Sequence, residues 1–458
     1  MLSSLFLILT SLGVVGTIFG SSPLFPIMEI VGLAGFFVRE VRSMSRMAQA
    51  LLVISLALPL YALITGRFDM DLVLTALGRA AFFAFFLTSL NFLQFAAGRS
   101  PMVQRSGEVL VMQPPGRRYI VLTFGAAMFS ALLNLGTVGL LGTMIVKGVG
   151  SDGSAEADRI ANIRRKRMTL AMMRGFCSLP MWSPITVTIA LITASIPELT
   201  WAGMVIYSAP MAVLFLLMGW LMDRRAYPAR PATAAPQTPP PLSGLLPLMA
   251  IVVLVPLGAF GLARVLETNL ITALLLFVPF VSVGWMALQN LSGGPSSAAT
   301  RVVRELRDGL LPALPDIRSE IGLFSCSAFI GVMITASVDT VALGHAVLSL
   351  GLAADTLLML SAWVVVGLSV MGVSPIISVT ILAGTLPNLG MLNIDPIAVG
   401  VTLLVVWTIC VNLTPFSAAV RFSARMIDVP PARLGLRWNL GFGVAALGIL
   451  SVFIIWFQ

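Results

Sequence analysis

Ser183-Pro184-Ile185-Thr186-Val187-Thr188-Ile189 returns as Ser374-Pro375-Ile376-Ile377-Ser378-Val379-Thr380-Ile381, 374 − 183 = 191 residues later. Serine is a favoured helix N-cap and proline suits the first helical position, so each copy reads as a helix beginning at its serine. A helix start carries unpaired N–H groups and about half a positive charge, and two such starts meeting inside a membrane form an anion site without a basic side chain. Ser183, Thr186 and Thr188 in one copy, with Ser374, Ser378 and Thr380 in the other, add hydroxyls suited to a carboxylate or other small oxyanion. The same breaks free backbone carbonyls, and hydroxyl and carbonyl oxygens are the ligands of a coupling sodium ion. The alternative is a pair of proline kinks satisfied by neighbouring serines and threonines.

Thr414-Pro415-Phe416-Ser417 repeats the cap-then-proline pattern, and Asn412 before it supplies an amide that either meets substrate or bridges helices. Ser208-Ala209-Pro210 holds the matching place in the first half. Asn134-Leu135-Gly136-Thr137, among Gly125, Gly139 and Gly142, reads as the tip of a re-entrant hairpin or as one small-residue packing helix. Ser325, Ser327, Thr335 and Ser337 occupy the corresponding stretch of the second half.

Ionisable groups within apolar sequence are costly and functional by default. Asp339 is the coupling candidate, either a proton carrier or cation ligand, or a residue at a hairpin end in water. Arg174 and Arg421 either attract an anion or snorkel, whereas Glu29 and Arg79 read as interfacial or helix-pairing residues. The lone histidine, His345, is expected in a loop and cannot form a histidine metal cluster. Cys177, Cys326 and Cys410 lie in apolar surroundings without a CxxC pair and read as packing residues. The sequence contains no phosphate-binding P-loop, dinucleotide glycine motif, nucleophile elbow or zinc-protease motif, so neither an enzyme nor a cofactor or metal site is expected.

The elements that must position these groups are membrane helices. Hydrophobic residues make up 58% and charged residues 10% of the 458, which leaves too few polar side chains for a soluble surface. At about 20 apolar residues per span, about 10 to 12 crossings or half-crossings fit. A net charge of +9 would also suit nucleic acid, but the arginines sit in short loops at span ends, as the positive-inside rule expects of a multi-pass protein of the inner (cytoplasmic) membrane. Leu2 to Phe19 runs into a second apolar segment without a basic start, so it is expected to stay in the membrane rather than be cleaved.

The organisation read from the sequence is an N-terminal membrane segment (1–46), a first repeat (47–222), a Pro/Ala-rich cytoplasmic linker (223–243), a second repeat (244–420), and a C-terminal loop with a final transmembrane helix (421–458). Each repeat runs through two spans, a charged arm (99–118 or 301–318), a Gly/Ser/Thr-rich segment, a broken Ser-Pro helix and a further span. The expected fold is an all-α, polytopic, inverted-repeat transporter with re-entrant hairpins and broken helices. With Arg39, Arg42 and Arg46 cytoplasmic, both arms fall on one side, whereas inversion needs them on opposite sides. Either a Gly/Ser/Thr-rich segment crosses fully or the charge signal misleads in one half.

In this layout the chain resembles the ion transporter superfamily, which includes divalent-anion/sodium symporters and citrate and C4-dicarboxylate carriers. The likeness covers about Leu51 to Val420, and Asn134 and Thr137 echo the Ser-Asn-Thr of that group's hairpin tips; the second hairpin has no asparagine. The resemblance implies an elevator mechanism, with hairpins and broken helices sliding against a dimeric scaffold. The function expected is secondary active transport of a small organic anion, coupled to sodium or protons. The alternative is a permease or flippase subunit for a lipid-like substrate, acting with a partner.

Overall fold

Backbone N–H and C=O groups find no water in the hydrocarbon of a bilayer, so an apolar chain must satisfy them within its own segments. The computed structural model, which describes residues 1–149, 154–228, 239–291 and 294–458, does so with helices alone, and no strand occurs among those residues. The chain is an all-α polytopic membrane protein. Among the described residues nine helical segments are long and apolar enough to cross a bilayer.

Helices α1 (Leu2–Phe19) and α2 (Leu24–Glu40) form a hairpin in which Gly13 and Gly32 allow close backbone approach, and Thr17 Oγ1 donates to Glu29 Oε1 at 2.6 Å. The first half then runs through α3 (Arg46–Ile64), α4 (Met70–Gly98), a short arm α5 (Pro101–Val111), the pair α6 (Pro115–Leu133) and α7 (Gly136–Gly148), α8 (Ala155–Cys177), a nine-residue α9 (Val187–Ser195) and α10 (Trp201–Ala226). The second half follows the same order: α11 (Leu246–Val265), α12 (Leu270–Gln289), an arm of α13 (Pro295–Glu305) and α14 (Leu311–Ala313), the pair α15 (Arg318–Ser337) and α16 (Thr340–Ser349), α17 (Ala354–Val370), α18 (Pro375–Thr385) and α19 (Pro396–Leu413). Two more helices, α20 (Ala418–Met426) and α21 (Trp438–Phe457), close the chain.

Several boundaries differ from the sequence reading. The 222/223 boundary lies inside α10 and the 420/421 boundary inside α20, because arginines in a last turn complement the helix dipole and let the helix continue. The Pro/Ala tract at 229–238 lies outside the described residues. Ser208-Ala209-Pro210 does not break α10, which continues past Pro210; there the Ser208 hydroxyl donates to Met181 O at 2.6 Å and to Met204 O at 3.0 Å. His345 lies in a helix, exposed on α16, and not in a loop. The second arm is continuous with the helix that follows it: Pro295–Ser337 is one helical segment of 43 residues that contains a window apolar enough to cross.

Packing centres on α19, almost wholly buried, which contacts α8, α9, α10, α17, α18 and α21. Close approach elsewhere depends on glycine. On α8, a β-carbon at Gly175 would meet the Thr123 carbonyl oxygen of α6, and backbone cannot rotate away as a side chain can. Gly175→Ala is therefore expected to destabilise the fold by about 1–3 kcal/mol. Gly367→Ala, on α17 with nothing within 4 Å, should instead be neutral or slightly stabilising, since alanine is the better helix former. Thermal unfolding of the two purified variants in detergent checks this contrast.

Candidate functional site

The first-half break is built from two caps and a gap. Helix α8 ends at Cys177, a 3-10 turn covers Leu179–Met181, and α9 starts only at Val187. The N-cap is Thr186, whose Oγ1 accepts from Ile189 N at 3.3 Å, and not Ser183 as the sequence suggests. Ser183 stays upstream in the gap beside Pro184, nearly fully buried, its Oγ accepting from Ile185 N at 3.3 Å. Thr188 is buried in the first turn of α9. The carbonyls freed by the gap are engaged from α10: Ser208 reaches Met181 O, and Trp201 Nε1 donates to Trp182 O at 3.3 Å.

The second-half break matches its sequence reading more closely. A turn containing Gly372 at φ +105° separates α17 from α18, with Ser374 in the N-cap position and Pro375 in the first turn. Ser374 forms no side-chain cap bond; Ser378 is half-buried, and Thr380 donates back to Ile376 O at 2.7 Å. Helix α15 lies hard against α18, where a β-carbon at Gly331 would strike Thr380 and one at Gly384 would strike Thr335.

A third interruption follows α19. Thr414 Oγ1 donates to Ser369 O, a carbonyl at the end of α17, at 2.7 Å. After Pro415, Ser417 caps α20 by accepting from Val420 N at 3.2 Å while donating to Val411 O at 2.7 Å. Three gap or end carbonyls, Met181 O, Trp182 O and Ser369 O, thus already accept protein hydrogen bonds. Asn412 bridges helices: its Oδ1 accepts from Asn439 Nδ2 of α21 at 3.1 Å.

Asn439 is one end of a network that the sequence reading missed. Its Oδ1 accepts from Arg174 Nε and Nη2, both at 3.1 Å, while Arg174 Nη1 donates to Tyr119 Oη at 2.7 Å and to Gly219 O at 3.1 Å. The Phe442 ring lies 4.5 Å from the Arg174 guanidinium carbon. Arg174 therefore neither snorkels nor faces an open site; it joins α6, α8, α10 and α21. An asparagine within the apolar final span was the available sequence signal, since polar groups there need a partner.

The hairpin tips differ. In the first, Asn134 takes φ +46° between α6 and α7, its N–H bonded to Ser130 O at 2.9 Å. In the second, Asp339 is exposed and caps α16, its Oδ1 accepting from Ala342 N at 2.9 Å. Thr137, one turn past the first tip, is fully buried and its Oγ1 has no hydrogen-bond partner among the described residues; Ser325 and Ser327 on α15 and Thr408 on α19 share that state. Phe324 stacks on Trp407 at 6.2 Å between ring centres, which sets these α15 and α19 hydroxyls on neighbouring elements. The two short helices at the Ser-Pro sequences, α9 and α18, pack against each other and against α19.

Thr137→Val removes the unpartnered hydroxyl at nearly constant shape. If that hydroxyl binds an anionic substrate, apparent affinity should fall about tenfold, as loss of a hydrogen bond to a charged group costs about 1.5–3 kcal/mol. The melting temperature should hold or rise, because a buried, unsatisfied polar group is gone. Uptake kinetics and thermal unfolding of one preparation read both, and a fall in melting temperature with unchanged affinity would mean a structural hydroxyl.

No family model and no curated protein matches this sequence. Solved structures share its fold along nearly the whole chain. The YdaH transporter of Alcanivorax borkumensis, described as having an unusual topology, aligns with a TM-score of 0.53 and 13% identity over 90% of this chain and 99% of its own. MtrF of Neisseria gonorrhoeae, described as illuminating a class of antimetabolite efflux pumps, aligns at 0.55 and 11% over 92% and 98%. The fold is that of helical membrane transporters.

Proposed function

We propose that this protein is a secondary active transporter of a small organic anion of the carboxylate class, coupled to sodium or protons, in a layout like that of the ion transporter superfamily. The observation that carries this reading is the packing of α9 on α18, each with a Ser-Pro sequence before or at its start and both set against buried α19. Paired interrupted helices at equivalent places in two halves are where transporters bind anions and coupling ions. The repeated order of parts supports an inverted repeat. Elevator motion against a homodimeric scaffold in the inner membrane belongs to the same proposal.

The test is uptake by purified protein in liposomes, against a panel of mono-, di- and tricarboxylates under imposed sodium or proton gradients. Accumulation of at least one carboxylate that depends on a gradient supports the reading; none under either gradient would overturn it. Coupling is addressed by Asp339→Asn, because asparagine caps helices as well as aspartate and the variant isolates the charge. Hydroxyl-rich breaks occur in both halves whereas Asp339 has no first-half counterpart, so the variant is expected to slow transport without abolishing sodium-dependent accumulation. Complete loss of gradient-driven uptake, with substrate exchange preserved, would make Asp339 the proton carrier.

A further inference from the structure

A cleft of about 440 Å³ opens where α8, the chain leaving α10, the chain leaving α20 and the start of α21 converge. Its lining includes Arg165 and Lys166 of α8, Tyr227 after α10, Asp428 after α20, and Arg433 and Trp438 around the start of α21. Three cations therefore face one carboxylate. Among the described residues none of the three lies within 4.0 Å of a carboxylate oxygen, although nearby Arg167 is paired with Asp223 at 2.7 Å. Arg165 Nε is buried without a partner, and its Nη atoms make only 3.4 Å bonds to Asn162 Oδ1 and Val149 O. Lys166 Nζ stands 5.1 Å from the Trp438 ring centre and 6.0 Å from that of Tyr227, and the Arg433 guanidinium carbon is 5.7 Å from Trp438.

This arrangement has the chemistry of a membrane boundary. Tryptophan and tyrosine concentrate at the headgroup level, and a basic pocket between transmembrane helices is a recurrent way of holding a lipid headgroup. Arg224, at the end of α10, also rests on Trp220 at 5.3 Å, extending the aromatic and cationic layer along the same end of the bundle. Arginine offers paired N–H groups that match phosphate oxygens, and lysine adds a point charge. We propose that this cleft binds the phosphate of an anionic phospholipid headgroup, ligated by Arg165, Lys166 and Arg433 and thereby joining α8 to α21. The proposal is independent of what the protein transports.

The test follows the thermal unfolding midpoint of the full-length purified protein in neutral detergent, titrated separately with phosphatidylglycerol, phosphatidylcholine and inorganic phosphate. Phosphatidylglycerol should raise the midpoint saturably and phosphatidylcholine should not. Each lost cation should raise the half-saturating concentration about fivefold, hence about a hundredfold in Arg165→Gln/Lys166→Gln/Arg433→Gln. Lys166→Gln alone supplies the reading if the triple variant does not fold. Inorganic phosphate acting as strongly as the lipid, with the same loss in the variants, would support phosphate recognition and assign it to an aqueous source. An unchanged response in the cleft variants would overturn the proposal. So would an equal loss in Arg301→Gln/Arg304→Gln/Arg307→Gln, which removes the same charge from the exposed second arm, because the effect would then be general electrostatics.

Discussion

Arg174→Met is expected to cost about 2–5 kcal/mol of folding stability. The substitution keeps much of the apolar stem but removes all three donor nitrogens. Asn439 Oδ1 then loses both of its arginine bonds and Gly219 O loses its bond from Nη1, in a region closed to water. Each buried acceptor left without a donor costs about 1–3 kcal/mol; Tyr119 can rotate its hydroxyl and recover part of its share. Arg174→Lys should rescue little, because one ammonium cannot span acceptors that the flat guanidinium reaches together. Asn439→Leu should be at least as harmful, since it leaves the cation unpaired in the interior. Unfolding in detergent by heat or denaturant measures all three, and a melting temperature unchanged in Arg174→Met would show that the network contributes nothing net.

The largest functional effect is expected from Ser183→Ala combined with Ser374→Ala. Ser183 uses its oxygen as an acceptor for Ile185 N, and Ser374 sits at the start of α18 without a cap bond, so no hydroxyl proton of the pair is needed by the protein itself. Loss of a hydrogen bond to a charged substrate at both sites gives about tenfold or more in affinity at each, and roughly a hundredfold together if the sites are independent. Stability should change far less, because Thr186 caps α9 whatever stands at position 183. Uptake affinity unchanged in the double variant would reduce both serines to structural residues of a kinked helix.

The two breaks show how far local chemistry carries. At Ser374-Pro375 the cap-plus-proline signal coincides with the observed helix start, because nothing nearby competes for the N-cap position. At Ser183-Pro184 the identical dipeptide fails by three residues. Met181 and Trp182 are tied to Ser208 and Trp201 of α10, the gap is held open to Thr186, and threonine caps almost as well as serine. Pro210 and Pro415 make the same comparison between interruptions: α10 runs through its proline, whereas after Pro415 the helix restarts on the Ser417 cap.

Composition and hydropathy were enough to determine an all-helical membrane protein, since a chain that is 58% hydrophobic and 10% charged lies in the membrane, and its long unbroken apolar runs, unlike the alternating strands of a β-barrel, satisfy their backbone there as helices. The turn at Asn134, the helix start at Ser374 and the repeated order of parts were also legible, because each depends on residues within a few positions of one another or on a coarse alternation of apolar and polar segments. Tertiary structure alone decided the rest. Arg174 finds Asn439 265 positions away, Thr414 closes on the end of α17 from a separate helix, and the second arm runs on into α15. A buried polar group in lipid must be paired, but which group pairs with it is set by how distant helices pack, and a linear pattern of residue types does not contain that distance.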